Sequence, residues 1–193
     1  MSKPAPPVRG RPRDPARDRA LLAAALTVLD RDGYEGFTIE SVASVAGTSK
    51  VTLYRRWPSA AALLLAALAQ HGAATVPAAT TGDLARDLHR FFTAAFTQLN
   101  GRIGVLLRSL MAEAQATDKV RAQFREQFIH ARREALRTLL VAARDRGELA
   151  AAVDLDLLLD LLFGAMWYRL LVAHAPLDRR LATAFADLVR RYR

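Results

Sequence analysis

Apolar side chains recur at helical spacing along most of the chain, and short polar or glycine-containing segments interrupt this periodicity. Asp14 followed by Pro15 predicts a helix start, because proline lacks the N–H that would be unpaired there. This helix is predicted to end before Gly33, and a second, short helix follows the glycine turn. A third begins at Ser49 and ends before Pro58, because proline cannot donate the next hydrogen bond. The N-terminal pattern therefore predicts three helices, of which the second and third are short.

The rest of the chain predicts six longer helices, which glycines and a proline separate. Their predicted bounds are 59 to about 71, 83–99, 102–116, 118–146, 154–173 and 178–192. Ala, Leu and Arg dominate the composition, which favours helices, and no strand is expected. The sequence thus predicts an all-α protein of about nine helices.

The same pattern divides the chain into three parts. Residues 1–13 contain four of the eight prolines and almost no apolar periodicity, which predicts a disordered basic arm. Residues 14–58 hold the three N-terminal helices and residues 59–193 a larger helical domain. We expect these two parts to have different tasks.

Composition and charge narrow the classes of function. The chain has no cysteine, which excludes disulfides and thiol nucleophiles and fits a cytoplasmic protein. It has no secretory signal pattern, and charged residues interrupt its most apolar stretch, 155–173, so we predict a buried helix there and no membrane span. The formal net charge of +9 is densest in the N-terminal third and is typical of proteins that bind a polyanion such as DNA.

A glycine-containing turn joins the second and third predicted helices, as in a helix-turn-helix. Leu53 and Trp57 of the third helix can pack inward. The small polar and basic residues that can face outward, as a helix in the major groove requires, are Ser49, Lys50, Thr52, Arg55 and Arg56. The same arrangement also describes an ordinary solvated face, and spacing alone leaves both interpretations open.

Residues 33–63, GYEGFTIESVASVAGTSKVTLYRRWPSAAAL, resemble the signature of the TetR/AcrR family of transcriptional regulators. The resemblance implies a homodimeric repressor that a small hydrophobic or aromatic effector releases from a palindromic operator in double-stranded DNA. Val51 departs from the family pattern, where glycine is common, and Ala60 replaces a common lysine. The DNA-binding residues that the resemblance implies are Thr38, Thr48, Ser49, Lys50, Thr52, Tyr54, Arg55 and Arg56.

The basic arm is a second candidate for DNA contact. Arg9, Arg11 and Arg13 resemble the core of an AT-hook, and an extended arginine arm can lie in a narrow minor groove. A solubilising tail without a fixed target is the alternative. A nonspecific, architectural DNA-binding protein that relies on this arm is the alternative function.

The family architecture also implies an effector cavity and a dimer interface in residues 59–193. Aromatic and apolar residues are candidates for the cavity, although core packing explains the same spacing: Phe92, Phe96, Leu107, Met111, Phe128, Trp167 and Tyr168. The polar candidates are Arg108, His130 and Arg169. The interface is predicted on the last two helices, at Leu158, Leu162, Ala165, Met166, Leu181, Phe185 and Leu188.

An enzyme is the main rival class. The four histidines show no metal-ligand spacing, and the sequence contains neither a glycine-rich phosphate loop nor a nucleophile elbow. Asp156 and Asp160 can share a helix face, but carboxylates in a first turn are explained by the helix dipole. We therefore expect no catalytic site, no bound metal and no cofactor.

Overall fold

The computed structural model describes residues 14–76 and 80–191, and the described residues form helices and no strands. The helices are α1 (Pro15–Asp32), α2 (Ile39–Val45), α3 (Lys50–Tyr54), α4 (Ala60–Thr75), α5 (Leu84–Leu99), α6 (Arg102–Ala116), α7 (Asp118–Phe124), α8 (His130–Asp145), α9 (Leu155–Val172) and α10 (Arg179–Arg190). A π-helical turn, Arg125–Ile129, joins α7 to α8 without a break. The predicted all-α fold is confirmed, and the helix predicted at 118–146 carries this π turn in its interior.

Capping side chains explain where most helices begin. In seven of the described helices, the oxygen of an Asp, Ser or Thr side chain accepts a backbone N–H of the first turn, which would otherwise be unpaired, and such a cap contributes about 1 kcal/mol. The capping residues are Asp14, Thr38, Ser49, Ser59, Asp83, Asp154 and Asp178.

Helix α4 belongs to the N-terminal helices and to the larger helical body at once. It packs against α1 on one side and against α7 and the π turn on the other. Leu63, Leu64 and Leu65 are three consecutive residues with no exposed surface, so α4 is buried on several sides. A tilt of α4 would therefore change its contacts with α1 and also its contacts with α7 and the π turn.

An aromatic cluster holds α5 between α9 and α10. The rings of Phe92 and Phe185 meet edge to face with their centroids 4.7 Å apart, and Phe96 packs on the same Phe185 ring. Edge-to-face contacts of this kind add to the free energy gained from burial. Phe92, Phe96 and Phe185 are therefore core residues of a single chain.

Candidate DNA-binding surface and ligand cavity

Helices α2 and α3 present their polar caps on an exposed surface. Thr38 accepts a hydrogen bond from the Ser41 N–H at 3.0 Å, and Ser49 accepts one from the Thr52 N–H at 3.3 Å. Gly47 supplies the positive φ, +58°, that the turn between the two helices requires. The turn fixes how α3 projects from the protein.

Helix α3 has a buried inner face and an exposed outer face. Leu53 has no exposed surface, whereas Lys50, Tyr54 and Arg55 are exposed. The Lys50 Nζ atom lies 3.8 Å from Glu40 Oε1 in an exposed ion pair. These three side chains are free of the core and accessible to a macromolecule.

Arg56 differs from its neighbour Arg55. Its guanidinium forms an ion pair with Asp18 of α1, and only 16% of its side chain is exposed. The pairing turns Arg56 toward the protein and away from the outer face of α3, which corrects the outward orientation that the sequence predicted. Thr48 is half-buried in the turn, and its N–H donates to the Ala43 carbonyl at 3.0 Å.

Val51 is a surface residue that sequence reasoning did not select. Its side chain is 70% exposed in the first turn of α3, next to Lys50. An exposed apolar side chain on such a helix can contact the methyl group of thymine. The sequence shows that Val51 stands where glycine is common in the family that residues 33–63 resemble. It does not show that the side chain faces outward, which only the structure gives. The predicted arm contacts Arg9, Arg11 and Arg13 lie outside the described residues.

A cavity of about 370 Å³ lies between α4, α5, α6, the π turn, α8 and α9. Four of the predicted residues line it, namely Leu107, Met111, Phe128 and Trp167. Sequence reasoning missed Phe91, Phe163 and several smaller residues of the lining. The walls are mostly apolar, which suits a small hydrophobic molecule.

Three of the predicted cavity residues lie elsewhere. Phe92 and Phe96 pack on Phe185 in the core, as described above. Tyr168 is 59% exposed and contacts His174 with the two rings tilted and their centroids 4.3 Å apart. The polar candidates are also placed away from the lining: Arg108, His130 and Arg169.

The polar groups at the cavity wall come mainly from α4, α5, α8 and α9. His71 Nε2 lies 3.1 Å from Gln98 Oε1, so these two side chains satisfy each other. Arg133 pairs with Asp156 and Asp160 of α9. Arg132 lines the cavity beside them without such a carboxylate partner among the described side chains.

Two contacts join α6, a cavity wall, to the N-terminal helices. The Tyr34 hydroxyl donates a hydrogen bond to Glu113, and the Arg102 guanidinium donates to the Asp30 carbonyl at 2.7 Å. Burial, helped by the bond to Glu113, raises the pKa of Tyr34 and keeps its hydroxyl protonated. Together with α4, α6 thus connects the cavity to the surface that carries α3.

The apolar surface of α9 is not the one predicted from sequence. Leu158, Leu162 and Met166 are buried within the chain, and so are Leu181 and Phe185 of α10. Ala165 is half-buried and Leu188 is exposed. Beside the aspartates Asp156 and Asp160, the exposed residues of α9 are instead Leu157, Leu161, Gly164, Tyr168, Leu171 and Val172.

No described helix is long and apolar enough to cross a bilayer. Within residues 14–76 and 80–191, acidic and histidine side chains form no cluster of three that could hold a metal ion.

Comparisons with known proteins agree over nearly the whole chain. A family model described as bacterial regulatory proteins, tetR family, matches residues 21–67, and one described as the tetracyclin repressor-like C-terminal domain matches residues 78–189. The chain is similar to the HTH-type transcriptional regulator YdeS of Bacillus subtilis, with 30% identity over 85% of this chain and 83% of that protein.

Two further relatives cover similar lengths. The DNA-binding transcriptional repressor TetR of Mycobacteroides abscessus is 33% identical over 86% of this chain and 87% of its own. The crystal structure of the TetR family transcription regulator SCO0332 has a TM-score of 0.85 and 30% identity, and the match covers 93% of this chain and 99% of that one. These relatives are transcriptional regulators, a class that acts by binding DNA.

Proposed function

This chain belongs to the TetR family of transcriptional regulators, and we propose that it is a homodimeric repressor that leaves a palindromic operator when a small apolar molecule occupies its cavity. One observation carries the proposal. Helix α4 begins directly after α3 and its side chains, among them Leu68 and His71, line the cavity. Occupation of the cavity therefore acts on the helix that holds the DNA-binding surface.

The proposed operator contacts follow from exposure on α2 and α3. Lys50, Tyr54 and Arg55 project from α3, and Thr38 and Ser49 present hydroxyl groups at the helix starts. Side chains at the start of a recognition helix reach base edges in the major groove, whereas hydroxyl and basic groups around it hold phosphates. We assign residues 14–58 to DNA binding and residues 59–193 to effector binding and dimerisation.

A second copy of the chain is the proposed partner of α9. Leu157, Leu161 and Tyr168 recur at intervals of four and seven residues, so they form one apolar stripe along the exposed side of this helix. An apolar stripe of this length is covered in stable proteins. A two-fold dimer would present two α3 helices, which must lie about 34 to 36 Å apart to read one face of the duplex.

The proposed ligand must favour the dimer arrangement that does not fit DNA, because a ligand with equal affinity for both arrangements shifts nothing. Helices α4 and α6 both line the cavity and both contact the N-terminal helices. A ligand that separates these walls changes the tilt of α4, and with it the spacing of the two α3 helices. This is the conformational change that we expect to release the operator.

Selection of DNA fragments by the purified protein, followed by competition with random DNA, tests the proposal. A repressor should prefer one palindromic site by roughly 10³-fold or more. The double variant Lys50→Ala, Tyr54→Ala should lose this preference, whereas Arg90→Ala, which removes one exposed charge from α5, should keep it. Equal affinity for selected and random DNA would support the architectural alternative.

A further inference from the structure

The side chain of Arg132 has an unusual environment for a guanidinium. It is half-buried at the cavity wall, one turn after the π turn, among Phe128, Ile129 and residues of α4. Burial without a compensating carboxylate lowers the pKa of Arg132, but arginine remains charged at any physiological pH. The cavity therefore contains a permanent positive charge in apolar surroundings.

The chain itself does not neutralise this charge. Arg133, the next residue, pairs with Asp156 and Asp160, whereas Arg132 forms no ion pair with any described carboxylate. The residues outside the described ranges include no Asp or Glu, so no undescribed acidic side chain is available as a partner. A buried charge without a partner is costly, and such charges in proteins usually meet a counterion.

The contacts that Arg132 does make hold it in place without neutralising it. Its Nη2 atom lies 3.4 Å from the Ala69 carbonyl, and its guanidinium carbon lies 5.7 Å from the centre of the Phe128 ring. Gly72 makes room for it, because a Cβ at that position would overlap the guanidinium. The guanidinium of Arg132 from α8 thus occupies the space beside Gly72 of α4 at the cavity wall.

We propose that the effector is an amphipathic carboxylate whose carboxyl group pairs with Arg132 and whose hydrophobic part fills the cavity against Phe91, Phe128 and Trp167. A planar guanidinium binds a carboxylate through two parallel hydrogen bonds, and one positive charge matches one negative charge. Arg133, the other guanidinium of the lining, already pairs with Asp156 and Asp160, so a dianion such as a phosphate monoester would bury its second charge without a partner. This inference depends on the proposed function only in taking the cavity as the effector site.

The test uses two pairs of probes that differ in charge and match in shape, decanoate with 1-decanol and 2-naphthoate with 2-naphthalenemethanol. Calorimetric titration of the DNA-free protein measures binding separately from operator release. We expect at least one acid to bind about tenfold or more tighter than its alcohol, since a hydrogen bond to a charged group has that effect or more. Equal affinity within both pairs, or no binding of any of the four probes, overturns the proposal.

Variants locate the preference. Arg132→Gln should make acid and alcohol bind alike, and Arg132→Lys should restore part of the difference because it keeps the charge. Arg137→Gln is the matched control, because Arg137 pairs with Asp156 and does not line the cavity. A preference for the acid that survives in Arg132→Gln contradicts the assignment.

The failure of this inference can be distinguished from the failure of the proposed function. A neutral ligand that still releases the operator would refute this inference and leave the proposed function standing. A protein that binds the acids but selects no operator would refute the proposed function and leave this inference standing.

Discussion

The two neighbouring arginines at the end of α3 have different surroundings, although the sequence gives no reason to separate them. Arg55 is exposed, whereas the guanidinium of Arg56 pairs with Asp18 and fastens α3 to α1. An exposed arginine near a phosphate adds a contact with DNA, and a paired, largely buried one adds stability. Alanine at position 55 should therefore weaken DNA binding, whereas alanine at position 56 should lower the stability of the protein.

We predict that Arg55→Ala weakens operator binding about equally for all sequences and lowers the slope of log K against log salt by about one. The melting temperature of Arg55→Ala should stay close to that of the wild type.

Arg56→Ala should instead lower the free energy of unfolding by about 1 to 3 kcal/mol, because Asp18 then loses its partner. Thermal unfolding and salt-dependent binding of both variants provide the measurements; an Arg56→Ala protein of unchanged stability would place this side chain on the DNA instead.

Glu148 is a second residue whose role only the fold discloses. Its carboxylate accepts the Leu84 N–H at 2.7 Å, at the start of α5, and the Arg146 Nε–H at 2.6 Å. Burial alone would raise the pKa of Glu148, but these hydrogen bonds outweigh burial and lower it. The ionised side chain thus ties the turn after α8 to the start of α5.

A group whose pKa is lower in the folded state contributes stability above its unfolded pKa and loses it as the pH falls through the folded value. We therefore predict that the free energy of unfolding begins to fall near pH 5, above the ordinary glutamate pKa of about 4.3, and that Glu148 contributes to this fall. Glu148→Gln should be less stable than the wild type by about 1 kcal/mol at pH 7 and should approach it in acid. Denaturant unfolding from pH 7 to pH 3 tests this, with Glu134→Gln at an exposed position as the control. A difference from the wild type that stays constant with pH would contradict the prediction.

Among the elements, those with clear caps and a clear apolar stripe could be predicted from sequence. Helix α1 begins after Asp14 and α3 after Ser49, as the sequence predicts, and α2 and α3 are short, as expected. The interior π turn could not be predicted, because it leaves no break in the apolar pattern. Of the predicted DNA-binding residues that the structure describes, Thr48, Thr52 and Arg56 are half-buried. The exposed ones are Thr38, Ser49, Lys50, Tyr54 and Arg55.

Helix α9 shows why the sequence did not predict correctly which side of an apolar helix is exposed. Its residues are apolar nearly all round, so periodicity does not say which side faces the core. Leu158 and Leu162 are predicted at the dimer interface, and the structure instead buries them within the chain. The adjacent Phe91 and Phe92 pose the same problem, since one lines the cavity and the other fills the core. Only tertiary contacts decide such cases.

The corner between α5 and α6 allows a prediction at the scale of elements. Gly104 lies so close to the end of α5 that a Cβ would overlap the Leu99 carbonyl oxygen, and backbone cannot move aside as a side chain can. We expect Gly104→Ala to lower the free energy of unfolding by about 1 to 3 kcal/mol, despite the better helix propensity of alanine. Gly101→Ala is the control, since its nearest neighbour would be at an ordinary 3.5 Å. Chemical denaturation of both variants distinguishes the two sites; equal stabilities would mean that α6 shifts without cost.

At the scale of the whole molecule, one chain contains a complete core and a cavity but leaves an apolar stripe uncovered on α9. Leu157, Leu161 and Val172 are 56%, 49% and 56% exposed. The stripe runs along a helix that also lines the cavity, through Phe163 and Trp167 on the adjoining side. A dimer built on this stripe would therefore place each cavity next to the interface, so that ligand binding and the spacing of the two α3 helices depend on the same helix.

Leu161→Asp places a charge in the middle of this stripe and should convert the proposed dimer into a folded monomer, because a buried, unpaired carboxylate opposes association whereas an exposed one is tolerated. Helical content and ligand binding should persist, since the core side of α9 is unchanged. Operator affinity should fall by about 10²-fold or more, because the second half-site no longer binds from the same particle. Ala122→Asp on α7, at an exposed position, is the control for the added charge and should remain dimeric. Sedimentation velocity at micromolar concentration and operator titration are the measurements. A Leu161→Asp protein that still sediments as a dimer would show that the interface lies on another face.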